Sequence, residues 1–163
     1  MNKPSAQHAT FVIEREFAAT PDQVFGAWAD PKAKARWFAG PSEKWTVILR
    51  EFDFRVGGRE RLSGKWAKGA APRPDFSVST FDAHYFDIVP GKRIIYSYDM
   101  HLDDRLISVS LATIEFQARD QGTKMTLTEQ GAFLDGYDDA GSREKGTREL
   151  MNRLEASLRQ GAH

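Results

Sequence analysis

Few side chains in this sequence have both the type and the spacing to hold or move a proton. Glu129 follows Met125 and Leu127 at alternating positions, so in an extended chain all three point the same way. A carboxyl group on an otherwise apolar face is desolvated. Its pKa rises unless it is paired, and it can then act as acid or base. Arg15, in phase with Ile13 and Phe17, is the expected partner. The plainer reading is that one or both long side chains reach out to water. Tyr98, Asp99 and His84 complete the polar groups available for acid–base work. They make a catalytic site only if at least two of the four converge inside one cavity.

Other chemistries are poorly supplied. The chain has no cysteine, which removes disulfides, thiolate metal sites and cysteine nucleophiles together. His8 lies near the start and His163 ends the chain, while His84 and His101 fall on different expected strands. No carboxylate stands at a metal spacing with them, and zinc needs three or four converging ligands, so neither metal nor cofactor is expected. There is no Gly-x-Ser-x-Gly, no Gly-x-Gly-x-x-Gly and no phosphate loop. Val56-Gly57-Gly58-Arg59 sits between strands and reads as a hairpin turn.

Charge narrows the partners. Lys plus Arg and Asp plus Glu both number 23 in the 163 residues, for a formal net charge of zero. Lys32, Lys34, Arg36 and Lys44 form a modest basic patch, read as a solvated face, and no nucleic-acid partner is expected. No apolar run approaches the roughly 20 residues that span a bilayer, so no membrane insertion is expected. The opening MNKPSAQHAT is polar and lacks the apolar core of a signal peptide, which points to the cytoplasm. A balance near neutrality favours self-association and hints at a homodimer.

The chain is rich in aromatic surface, with 11 Phe, four Trp and four Tyr. Trp28, Trp37, Phe38, Trp66, Tyr96, Tyr98, Met100, Phe133, Met151 and Leu154, with Glu129 as a polar anchor, are the candidate lining of a pocket. Such pockets are mostly apolar with a few polar groups. The competing reading is that these side chains simply fill a core, the commoner fate of Trp and Phe on helix faces.

The elements that must position them follow from periodicity. Residues 1–9 read as a loose tail, and Phe11 to Phe17 alternates as a strand. Thr20-Pro21-Asp22-Gln23 is a capping box with proline at the first helical position, and Val24, Phe25 and Trp28 share a face of the helix it opens. Asp30-Pro31 starts a second helix, stopped by Gly40-Pro41. From Trp45 to Phe133 the chain is strands and short turns, an antiparallel meander. Ile94, Tyr96, Tyr98, Met100 and Leu102 alternate without fault. Ile107, Val109 and Leu111 give way to Ile114 and Phe116 in the opposite phase, which suggests a bulge between the two runs. Ser142 reads as the cap of a helix to about Gln160 with an apolar stripe of Thr147, Leu150, Met151, Leu154 and Leu158. Glu144–Arg148, Glu149–Arg153 and Glu155–Arg159 are its expected i,i+4 pairs.

The expected fold is α+β. A strongly twisted antiparallel sheet curls around the long C-terminal helix, and two short helices plug one end. A curved sheet stands off a straight cylinder, so a space between them is expected.

Five stretches in this order resemble a known family. "FVIEREFAATPDQVFGAWADPKAKARWF", "FDFRVGGRERL", "YFDIVPGKRIIYSYDM", "GTKMTLTEQGAF" and the final amphipathic helix are similar to the proteins related to the activator of Hsp90 ATPase. The resemblance covers roughly residues 10–160, read as a single domain. It implies the START-like helix-grip fold, also called SRPBCC or Bet v 1-like, with the order β-α-α-β6-α and a deep cavity. It further implies binding of a small hydrophobic molecule such as a lipid. Cyclases and hydrolases occur in the same superfamily, and the name-giving relative stimulates a chaperone ATPase, so an enzyme or a chaperone-associated module are the alternatives. That relative carries an extra domain which this chain is too short to hold. Many relatives place Gly-Trp near the start of the last helix where this chain has Gly146-Thr147. The resemblance therefore implies a larger cavity there, or a gap filled by Met151.

Overall fold

The computed structural model describes residues 3–161. The elements run β1 (Ala6–Phe17), α1 (Pro21–Ala29), α2 (Pro31–Trp37), β2 (Trp45–Phe52), β3 (Arg59–Trp66), β4 (Val78–Val89), β5 (Arg93–Leu102), β6 (Arg105–Arg119), β7 (Gly122–Leu134) and α3 (Ala140–Gln160). All seven strands form one curved antiparallel sheet in the order β1-β7-β6-β5-β4-β3-β2. The meander from β2 to β7 is thus closed at one edge by β1. This is the helix-grip α+β fold. No helix of the described residues is long and apolar enough to cross a membrane.

Local signals set the helix starts. Thr20 Oγ1 accepts from Gln23 N at 3.2 Å, and Gln23 Oε1 accepts from Thr20 N at 2.9 Å, the reciprocal capping box. Asp30 ends α1 and caps α2, its Oδ2 accepting from Ala33 N at 2.8 Å. α3 begins earlier than expected. Its cap is Asp139, not Ser142, with Oδ1 accepting from Ser142 N at 2.8 Å. A carboxylate at that position also meets the positive end of the helix dipole.

Two strand expectations need correction. β1 begins at Ala6, because residues 6–9 pair with β7 from Leu134 to Gly131; the loose tail does not extend through them. Residues 6–9 are Ala-Gln-His-Ala and largely exposed, so no apolar alternation marks them. The bulge in β6 lies at Ile107, where the register to β5 shifts between Met100 and His101. Ile107 and Ser108 are both buried in consequence, and from there Ser108, Ser110, Ala112 and Ile114 face inward. Val109 and Leu111 therefore point outward, 42% and 40% exposed, opposite to what their hydrophobicity suggests. The inner face of β6 is lined by small side chains at this point, which leaves room above it.

α3 buries Thr147, Met151 and Leu154 and makes its closest backbone approaches to β1, α2 and α1. Of its expected ion pairs, Glu144–Arg148 and Glu155–Arg159 form. Arg153 instead turns from Glu149 to the loop after α2, donating to Ala39 O and, at 3.4 Å, to Gly40 O.

Candidate functional site

A cavity of about 450 Å3 opens between α3 and the inner face of the sheet. Its aromatic wall is an interlocked series of rings. Trp28 meets Trp37 edge-on at 4.8 Å, Trp37 meets Phe38 at 5.7 Å, and Phe38 meets Phe81 at 4.8 Å. Phe81 and Tyr98 are tilted at 4.9 Å. Edge contacts of this kind are favourable beyond their buried area and hold the rings in place. Trp28, on the apolar face of α1, and Trp37, at the end of α2, reach the cavity because Asp30 turns the two helices sharply against each other. Trp37 Nε1 donates to Ala27 O at 2.9 Å and locks that turn.

Of the residues expected to line a pocket, Trp28, Trp37, Phe38, Trp66, Tyr96, Tyr98, Met100, Glu129 and Met151 do. Phe133 and Leu154 do not. Phe133 is 3% exposed and lies under the Arg143 guanidinium, 5.2 Å from its ring centre. Leu154 is fully buried in the core. Alternation and helical period show that a side chain faces inward. They do not show which inward side chains end at a void. Trp45, Leu62, Phe81 and Arg143 also line the cavity without a sign in the sequence, and Thr147 lines it where the resemblance implies a larger space. Trp45 is admitted by Gly64 beside it, since any Cβ there would overlap its indole ring.

The polar groups gather at one end. Tyr98 donates its hydroxyl proton to Glu129 Oε2 at 2.8 Å. Arg143 Nη1 donates to the Tyr98 oxygen at 3.0 Å, and Nη2 donates to Ser108 Oγ at 2.8 Å and Asp138 Oδ2 at 2.9 Å. Arg143 Nη1 is also 3.8 Å from Glu129 Oε2. Burial pushes the Glu129 carboxyl above its ordinary range, opposed by Arg143, Tyr98 and Ser110. Burial likewise raises the Tyr98 phenol. Burial alone would lower Arg143, but Tyr98, Asp138 and Glu129 hold it above its usual value. The Arg143 of α3 is thus the partner of Glu129. Arg15 is not: its Nη1 donates to Asn152 Oδ1 at 2.8 Å on the outer flank of α3.

Glu129 and Tyr98 converge in the cavity; His84 and Asp99 do not. His84 is exposed, and Asp99 lies on the opposite face of β5 from Tyr98. His84 pairs with Ser97 and His101 with Thr80, so the two histidines are well apart on the sheet. Among the described residues no group of three or more His, Asp or Glu could hold a metal ion.

One cluster went unforeseen. Lys34, placed by its charge in a solvated patch, is 2% exposed, while Lys32, Arg36 and Lys44 are at the surface. Its Nζ is 2.6 Å from Glu60 Oε1 and 3.3 Å from the Tyr85 hydroxyl, which itself donates to Glu60 Oε1 at 2.5 Å. The ammonium sits 4.6 Å from the Phe38 ring centre and 5.3 Å from that of Phe52. Burial lowers the Lys34 pKa, against the pull of Glu60. The sequence does carry a signal for this. Lys34 is three residues before Trp37 in one helix, and Glu60 two before Leu62 in one strand, so each shares a face with a buried apolar neighbour.

The model of the family described as Activator of Hsp90 ATPase homolog 1-like protein matches residues 18–159. A solved structure of a protein from Rhizobium leguminosarum is 45% identical, with a TM-score of 0.86, covering 98% of this chain and 99% of that one. Another, from Rhizobium loti, is 41% identical with a TM-score of 0.80, covering 94% and 99%. An AHSA1-like protein from Aeromonas hydrophila, at 20% identity and a TM-score of 0.67 over 94% of each chain, speaks for the fold alone. No curated protein matches at a significant level.

Proposed function

Since the chain belongs to the Activator of Hsp90 ATPase homolog 1-like protein family, whose fold is of a ligand-binding type, we propose that it binds a small hydrophobic molecule between the sheet and α3. The observation that carries this reading is the cavity of about 450 Å3, walled by interlocked rings and closed at one end by Glu129, Tyr98 and Arg143. Its size falls in the range of roughly 300–1,000 Å3 typical of small-molecule sites, and its mixture of broad apolar wall and a few polar groups is theirs too. Unfilled apolar space costs about 24 cal/mol per Å3 in large-to-small substitution series. A hollow of this size is a heavy burden for a domain of this length, and one that an occupant relieves. Thermal melts against a library of apolar lipids, aromatics and polycyclic molecules test the proposal. Ligands that bind the folded state raise the melting temperature with concentration, as mass action requires. A flat response across the library refutes it.

A second reading has its own observation. A buried carboxyl with a raised pKa and a phenol hydrogen-bonded to it share the cavity, which is the equipment of acid–base chemistry. An enzyme of the cyclase or hydrolase type would use Glu129 as acid or base. The Glu129→Gln variant separates the readings: it should abolish turnover of a bound molecule under the enzymatic one and leave any bound molecule unchanged chemically under the binding one.

A further inference from the structure

The polar end of the cavity specifies what an occupant must bring. Each group there has its hydrogen bonds either committed or open. The Tyr98 proton goes to Glu129 Oε2, and the Tyr98 oxygen accepts from Arg143. Arg143 spends three of its five N–H donors on Tyr98, Ser108 and Asp138. Glu129 Oε1, in contrast, receives no hydrogen bond among the described residues, on a side chain 3% exposed, and the Ser110 hydroxyl close to this carboxyl is itself buried without a partner. The Tyr96 hydroxyl, next along the inner face of β5, also has none among them, and Tyr96 is 6% exposed and lines the same cavity. Glu129 Oε1 and the Tyr96 hydroxyl are therefore left for the occupant to satisfy, since an unmet buried group costs roughly 1–3 kcal/mol; the Trp28 and Trp45 indole N–H groups and the Ser110 hydroxyl are also unpartnered, but those atoms are wholly buried.

Charge decides which occupant can do so. Arg143 lies 2.9 Å from Asp138 and 3.8 Å from Glu129, so one guanidinium stands between two carboxyl groups. A ligand carboxylate would find this guanidinium already shared between Asp138 and Glu129, and would face the Glu129 carboxyl. A ligand cation would approach Arg143 at the same place. A neutral hydroxyl meets neither objection. It both donates and accepts, so it satisfies Glu129 Oε1 whether that carboxyl is ionised or protonated. The rest of the wall, from Trp37 through Phe38 and Phe81, presents rings to a flat apolar body.

Building on the binding proposal above, we infer that the occupant is a neutral, flat, apolar molecule bearing a hydroxyl group, seated with that hydroxyl on Glu129 Oε1 and within reach of the Tyr96 hydroxyl. Fatty acids and other anionic amphiphiles are thereby disfavoured.

The test is a fluorescence titration of three matched probes: hydroxypyrene, methoxypyrene and pyrene carboxylate. Wild-type protein is expected to bind hydroxypyrene at least about tenfold more tightly than methoxypyrene, the loss of one hydrogen bond to a charged or strongly polar group. Pyrene carboxylate is expected to bind weakest. Glu129→Leu should bring hydroxypyrene and methoxypyrene to within about threefold of each other, and Tyr96→Phe should narrow the gap without closing it. Glu129→Gln, which keeps the shape and a hydrogen-bonding group, should retain most of the preference. Where Glu129→Leu fails to fold, the wild-type comparison decides alone. Equal binding of hydroxypyrene and methoxypyrene, tightest binding of the carboxylate, or a hydroxyl preference that survives Glu129→Leu overturns the inference and leaves the binding proposal standing. Binding of none of the three overturns both.

Discussion

Lys34 Nζ on α2 lies 2.6 Å from Glu60 Oε1 on β3, with both side chains almost wholly withdrawn from solvent. The pair, with Tyr85 on β4, fastens the short helix to the sheet behind the aromatic wall of the cavity. A buried ion pair is costly to assemble but more costly to break, because one charge is then left without a partner. Lys34→Met is therefore expected to destabilise the fold by about 3–5 kcal/mol. The double variant Lys34→Met, Glu60→Leu should recover most of that loss. Urea melts of the three proteins check it, and a single variant as stable as wild type would contradict the role given to the pair.

Glu129 supplies a dependence on pH. Burial raises its folded-state pKa above the ordinary glutamate value of 4.5. The folded protein thus holds this proton more tightly than the unfolded chain does. The stabilisation is fully present below about pH 4.5 and is lost as pH rises through the folded-state value. Glu129→Gln cannot ionise and should lack this component. Its stability relative to wild type is expected to improve from pH 4 to pH 8 in denaturant melts. A difference that stays constant, or moves the other way, would contradict the burial of this carboxyl.

Gly64 makes room for the Trp45 ring in the cavity wall. Gly64→Ala has to displace that ring, and overpacking of this kind costs about 1–3 kcal/mol. The displaced indole enters the cavity, so weaker probe binding should accompany the lower melting point. An unchanged melt and unchanged binding would show that Trp45 has space elsewhere.

Arg153 and Arg50 grip the loop after α2 from two sides. Arg153 of α3 donates to Ala39 O and Gly40 O, and Arg50 of β2 donates to Phe38 O at 3.3 Å through each of two nitrogens. Phe38, Ala39, Gly40 and Pro41 line the cavity, so the hold on this loop is expected to govern how readily an occupant leaves. Arg153→Ala is expected to speed the release of a bound apolar probe several-fold in stopped-flow displacement, with a small effect on the melting temperature. Release at the wild-type rate would contradict a gating position for the loop.

The architecture was legible because each element carries its own local signal: the capping box at Thr20, the alternation from Ile94 to Leu102, the stripe on α3. Inward direction was legible too, and most expected lining residues face the cavity. Three things were not. Charge alone places Lys34 at the surface, whereas its position relative to Trp37 decides its fate. Hydrophobicity alone points Val109 and Leu111 inward, and the bulge at Ile107 reverses their phase. The partner of Glu129 was sought on the neighbouring strand, where Arg15 pairs with Met125. It comes instead from α3 across the cavity, and a contact between distant elements leaves no mark in local periodicity.

Thr147 offers the most direct trial of the cavity itself. It lines the void beside Met151, and its side chain is small. Thr147→Trp should fill the space from the α3 side while keeping the helix intact. Titration of pyrene into wild-type protein and into this variant, followed by fluorescence, is the decisive measurement. Saturable one-to-one binding to wild type that is lost in Thr147→Trp, with the variant's own melting temperature held or raised, is the predicted result. Binding that persists undiminished in Thr147→Trp would place the ligand elsewhere and contradict the account.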